Sequence, residues 1–150
     1  MIWSAVWISH EISNCELPAG HQRRLGSTAA AGQCKRQGLL AAAPAGSLYL
    51  SVLVVGEIRR GIEQLRRRDP QQAAVYEAWL VRLRKDYADR ILPITSDIAE
   101  EWGRMNVPDP VPVIDGLMAA TAKVSGLTLV TRNTVDLVRT GVPLLNPFEP

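Results

Sequence analysis

Three acids could do chemistry in this chain: Glu57, Asp115 and Asp136. None has a histidine or cysteine beside it. Carboxylates brought close together disfavour joint ionisation, and a bound cation removes that cost. All-oxygen ligation selects a hard ion, Mg2+ or else Mn2+, over zinc. Such a centre suits phosphodiester hydrolysis, because a metal lowers the pKa of a bound water and stabilises charge developing on phosphorus. Thr131, Arg132 and Asn133 precede Asp136 closely enough to position a carboxylate or a phosphate. Taken singly, each acid has an ordinary role. Asp115 suits the positive end of a helix, Asp136 a solvated loop, and Glu57 a helix surface. The case for a site rests on the elements that would bring them together.

The stretch Val111–Asp136 supplies those elements. Pro112 suits a first helical turn, where its missing N–H costs nothing. Ile114, Leu117, Met118 and Ala122 recur at helical spacing as one apolar stripe. Gly126 suits a left-handed cap, and Leu127–Thr131 is a short apolar run of buried-strand type. A helix of about twelve residues spans roughly 18 Å, and a strand of about five spans roughly 16 Å. Packed after a tight turn, the two run antiparallel. Asp115, near the helix start, then meets Asp136, just past the strand end. That is the edge of an open α/β sheet where ligands bind. Glu57 reaches the same edge by the same logic. It lies early in a helix that carries Val55, Ile58, Ile62 and Leu65 and follows the strand Leu48–Leu50.

The remaining pattern is consistent with this. Asp69-Pro70 reads as a helix cap and first turn. The next helix repeats Val75, Trp79, Leu83 and Tyr87 at four-residue spacing, widened by Tyr76 and Leu80. Ile91, Leu92 and Ile94 suggest a strand whose Pro93 marks an edge or an end. Thr95 or Ser96 would cap a helix through Ile98, Trp102 and Met105. Val107–Pro112 is a stiff linker, and Leu144-Leu145 a last strand. Strands alternating with helices imply an α/β fold with a mostly parallel central sheet flanked by helices.

Composition narrows the class. With 150 residues, 47% hydrophobic and 21% charged, the chain reads as a single domain, 1–150, with an ordinary core. A net charge of +2 creates no global field for nucleic acid. Arginines crowd residues 59–68, and such runs are more often solvated helix faces than phosphate sites. Cys15 and Cys34 show no paired spacing and His10 and His21 no ligand spacing, so reduced thiols and a cytoplasmic location are expected. No run approaches the roughly 20 apolar residues of a membrane span. Residues 1–46 are poorly patterned beyond a possible strand at Val6-Trp7-Ile8 and a possible helix end near Pro44.

The pieces LYLSVLVVGEIRRGIEQL, RILPITSDIAEEWGRM, PVIDGLMAATAKVSGLTLVTRNTVDL and GVPLLNPFEP together resemble PIN-domain ribonuclease toxins of the VapC type, over about Ser47–Pro150. The resemblance implies a PIN-like fold and a Mg2+-dependent endoribonuclease, the toxin of a type II toxin–antitoxin pair. It implies an RNA substrate, a cognate VapB-type antitoxin and a homodimer, while the lack of a long apolar run predicts no membrane association. Glu57, Asp115 and Asp136 match the family's acidic metal-site positions, and Thr131 and Asn133 its supporting positions. The N-terminus departs from the pattern. The family's first strand ends on an aspartate, where this chain has Ile8, and Glu11 is the nearest acid. A shifted reading frame, a misplaced start or a divergent paralogue would each give this change of texture at Ser47. The alternative reading is therefore a catalytically inactive PIN-fold module that still dimerises or binds an antitoxin. A phosphoacceptor receiver domain would need a lysine at a strand end, and Lys123 falls inside a helix instead.

Overall fold

The computed structural model describes residues 46–146 and the backbone of residues 6–9. Cys15, Cys34, His10, His21, Glu11 and the possible helix end before Pro44 lie outside the described residues.

Five strands form one sheet in the order β3-β2-β1-β4-β5. They are β1 (Val6–Ser9), β2 (Leu48–Ser51), β3 (Ile91–Leu92), β4 (Leu127–Val130) and β5 (Leu144–Leu145). The pairs β2–β3 and β4–β5 are parallel. Four strands thus point one way, as the alternating pattern predicts. The central strand does not. It runs antiparallel to both neighbours, with Val6 opposite Leu50 and Val130, and Ser9 opposite Leu127. β3 lies at an edge, in keeping with Pro93 directly after it.

Four α-helices complete the described fold: α1 (Val52–Arg66), α2 (Pro70–Asp86), α3 (Ser96–Met105) and α4 (Val113–Ser125). Each start has a local cause. The buried Ser51 hydroxyl accepts from the Leu53 N–H at 3.0 Å and starts α1 directly at the end of β2. The Asp69 carboxylate accepts from the Gln72 N–H at 2.9 Å, with Pro70 at the first helical position. The Thr95 hydroxyl accepts from the Ile98 N–H at 3.3 Å. Pro112 lies one residue before the first turn of α4, in extended backbone, so it sets the entry angle instead of occupying the turn. Gly126 closes α4 at φ 63°, a left-handed conformation that glycine adopts without strain.

The helices pack as the pairs α1–α2 and α3–α4, and their inner faces join β4 in one core. That core holds Val54, Ile58 and Ile62 of α1, Ala73 and Leu80 of α2, Met118, Ala119 and Ala122 of α4, and Leu127 and Leu129 of β4. Two expected stripes are rotated. In α2, Val75 is 61% exposed, while Ala73 and Leu80 face inward. In α4, Ile114 is 40% exposed, and the buried face is Met118–Ala122. Alanines along that face bring the helix close to the sheet, so burial follows small side chains as well as large ones. Among the described residues no helix is long and apolar enough to cross a membrane.

Candidate active site

The site is built at the junction of α4 and β4. α4 and β4 are joined by Gly126 alone, so β4 returns along the helix and its exit meets the helix start. Asp115 is the third residue of α4 and is half-buried. A carboxylate there is favoured by the unpaired N–H groups and the positive dipole end of the helix. Past the end of β4, the chain turns through Thr131, whose hydroxyl is buried and accepts from the Asn133 N–H at 3.1 Å. This serine/threonine-type turn fixes where Asn133 points. Asn133 Nδ2 then donates to Asp115 Oδ2 at 2.9 Å. Three residues expected at one edge thus form one connected unit: Thr131 holds Asn133, and Asn133 holds Asp115.

Asp136 and Glu57 are not tied to this unit by any hydrogen bond or ion pair among the described residues. Asp136 is exposed in the turn before the single 3-10 turn Val138–Thr140, and it makes no hydrogen bond or ion pair with the described residues. Glu57 is half-buried in the second turn of α1 and is likewise without a partner among them. Topology brings Glu57 to the same side. β2 and β4 point the same way on either side of β1, so their ends lie roughly 10 Å apart at the usual spacing of about 4.8 Å per strand. Glu57 follows the end of β2 by about one and a half turns of helix, some 7.5 Å along the axis from Val52.

The family-type first strand would bring a further acid to this edge. β1 cannot do so from its C-terminal end, because Ser9 pairs with Leu127 at the opposite edge of the sheet. Ile8 pairs with Leu48 and Thr128, one step in from that far edge. Residues 1–5, which precede β1 in sequence, include no carboxylate.

The donor set present is all oxygen, which fits a hard divalent ion. Among the described residues no three acidic, histidine or cysteine side chains gather closely enough to hold a metal by themselves. Mg2+ asks for less than that, since it keeps waters and is commonly held by one or two carboxylates with phosphate oxygens completing the shell. Asp115, backed by Asn133, fits such a role in kind.

Sequence reasoning missed several residues that shape this edge. Ser51 carries a cap signal, a hydroxyl between an apolar run and a helical period. Asn106 bridges the end of α3 to the linker, its Nδ2 donating to the Trp102 carbonyl at 2.9 Å and its Oδ1 accepting from the Val111 N–H at 3.0 Å. Arg139 donates to the Pro110 carbonyl at 2.6 Å from the far side. These last two bonds join segments distant in the chain or in irregular structure, and no spacing rule announces them.

Comparison with known proteins bears on the family and the fold. The PIN domain family matches residues 33–142. Toxin FitB of Neisseria gonorrhoeae is 28% identical over 107 residues, covering 68% of this chain and 76% of that protein. The VapC ribonuclease Y4jK of Sinorhizobium fredii is 30% identical over 112 residues, covering 69% and 77%. Among solved structures, that of FitAcB from Neisseria gonorrhoeae aligns with a TM-score of 0.63 at 29% identity, covering 68% of this chain and 76% of the other. A structure of FitAB bound to an IR36 DNA fragment aligns at 0.62 and 27%, covering 68% and 74%. With the family match spanning well over half its length and the helix–turn–strand edge in place, this chain belongs to the PIN domain family.

Proposed function

We propose that this chain is the toxin of a type II toxin–antitoxin pair, a metal-dependent endoribonuclease that hydrolyses RNA phosphodiester bonds. The observation that carries the reading is the Asp115–Asn133 hydrogen bond of 2.9 Å, made where a helix start meets a strand end. It supports a carboxylate held in one orientation at an open edge of the sheet. Asp115, Asp136 and Glu57 are the residues assigned to metal binding, and Thr131 and Asn133 the residues that orient them. A bound Mg2+ or Mn2+ would supply an activated water and charge stabilisation at phosphorus. The chain's own part is to keep Asp115 aimed, and to leave the edge open for a phosphate backbone. A cognate VapB-type antitoxin, a homodimeric assembly and a cytoplasmic location belong to the same reading; the antitoxin is supported by the likeness to Toxin FitB and to the FitAB structure.

The test is cleavage of RNA by the purified full chain with and without Mg2+, compared with Asp115→Asn. Cleavage that needs the metal and is lost in the variant supports the proposal. Equal cleavage by both proteins removes it. A second reading is favoured by the reversed central strand and by the lack of a three-acid cluster among the described residues. Under it the chain is a catalytically inactive PIN-fold module that keeps dimerisation or antitoxin binding. A folded chain that leaves RNA intact yet associates with itself or with a co-expressed antitoxin selects this second reading.

A further inference from the structure

The first turn of α4 is held by groups that the proposed chemistry does not use. Gly116, directly after Asp115, is buried against Val111 and Trp102. A Cβ at this position would lie 2.7 Å from Val111 Cγ2, 2.9 Å from Trp102 Cδ1 and 3.0 Å from Trp102 Nε1. Carbon atoms do not approach that closely without displacement, and an indole ring packed between two helices has little room to give. Only glycine lets the start of α4 sit this deep against α3. The indole Nε1–H finds no acceptor among the described residues, so packing is what the ring contributes here. Asn106 fixes the other end of the linker through its bonds to the Trp102 carbonyl and the Val111 N–H, at 2.9 and 3.0 Å. The helix then begins with the Gly116 N–H donating to the Pro112 carbonyl at 2.8 Å.

We infer that Trp102, Asn106 and Gly116 are positioning residues for Asp115: together they set the depth and angle at which α4 starts, and so where its carboxylate meets Asn133. The inference rests on the reading of Asp115 as a nuclease site residue, but the position of its carboxylate can be read without any cleavage. Asn133 is the reporter, because its side-chain amide donates to Asp115.

The experiment records the Asn133 side-chain amide signal by 15N NMR in the full chain, with Asp115→Ala defining the signal of the released amide. Gly116→Ala is expected to move the signal to that released position. Adding Trp102→Leu, which makes room for the new methyl, is expected to return it toward the native one. Lys123→Ala serves as the control. It removes the α3–α4 ion pair of Lys123 with Glu101, 2.7 Å long, at the other end of the helix, and should leave Asn133 unmoved. If Gly116→Ala does not fold, Asn106→Ala, which deletes two bonds without adding an atom, carries the same expectation. A native Asn133 signal in the folded Gly116→Ala or Asn106→Ala chain overturns the inference. So does a Lys123→Ala shift as large as theirs, which would mean only that loosening the helix pair matters. RNA cleavage is assayed on the same samples. A shifted Asn133 in a chain whose unmutated form never cleaves keeps the positioning role and sinks the nuclease reading.

Discussion

Asn133 shows how much a single side chain can decide at this edge. Its amide bridges the end of a strand to the start of a helix, and its own backbone N–H is fixed by Thr131. A group that orients a metal-binding carboxylate typically contributes 10- to 100-fold to metal affinity or activity. Asn133→Ala is therefore expected to lower Mg2+-dependent cleavage by about 10- to 100-fold, with the thermal midpoint nearly unchanged, since the residue is only partly buried. Steady-state rates beside a melting curve check both halves. A variant that cleaves at the full rate would mean that Asp115 needs no orienting partner. The sequence made this unit legible because Asp115 starts a helix and Thr131 and Asn133 follow the strand that a tight turn joins to it, elements whose dimensions are known in advance. It showed Trp102 only as part of a helical stripe, because its contact with Gly116 depends on how deeply two helices approach, and it left Asn106 unread because its bonds tie the end of a helix to an irregular linker.

The helical pair α1–α2 is held by two kinds of contact. Inside lie Ile58, Ile62, Ala73 and Leu80, all nearly inaccessible to water. At the surface, Glu77 of α2 accepts from Arg59 and Arg66 of α1, each at 2.7 Å, while Glu63 completes the cluster. Leu80, 1% exposed, is a cavity site, so Leu80→Ala is expected to cost about 2 to 5 kcal/mol in a urea titration. The ion pairs should act chiefly through pH. Hydrogen bonds from Arg66 and then Arg59 hold the Glu77 carboxyl below its ordinary 4.5. A carboxyl lowered by folding stabilises the native state fully above that value, and the gain is lost as pH falls through the lower, folded value. Urea midpoints measured from pH 6 downward should thus fall less steeply for Glu77→Gln than for the unmutated chain below about pH 4.5. Parallel curves would show that the pairs are too well solvated to matter. Helix boundaries here were legible from Asp69, Pro70, Thr95 and Gly126, because caps are local chemistry. Helix faces were less so. Val75 sits at the expected spacing yet points outward, because alanine and leucine elsewhere on α2 pack more closely against α1.

At the scale of the whole molecule, the central strand decides what the edge can do. Its neighbours β2 and β4 agree in direction, and they carry Glu57 and Asp115 to one side. β1 runs against both, so its C-terminal end leaves by the other side. Alternation of strands and helices predicts parallel strands, and it does so correctly for the four that follow helices or lead into them. It says nothing about a strand followed by residues without a period, which is why the direction of β1 was not legible. Two acids and phosphate oxygens can still satisfy Mg2+, but fewer protein ligands mean weaker binding in the absence of RNA. Thermal stability measures that balance without requiring turnover. An ion at about 100 times its dissociation constant stabilises a native state by roughly 2.7 kcal/mol. For a chain of this size that corresponds to about 5 to 11 °C in the melting midpoint, at roughly 2 to 4 °C per kcal/mol. Mn2+ at millimolar concentration is accordingly expected to raise the midpoint of the unmutated chain, EDTA to reverse the rise, and Asp115→Asn to abolish it. An unmutated chain whose midpoint is the same with Mn2+ as with EDTA would mean that Glu57, Asp115 and Asp136 do not form a metal site by themselves, and would leave the fold with binding as its function.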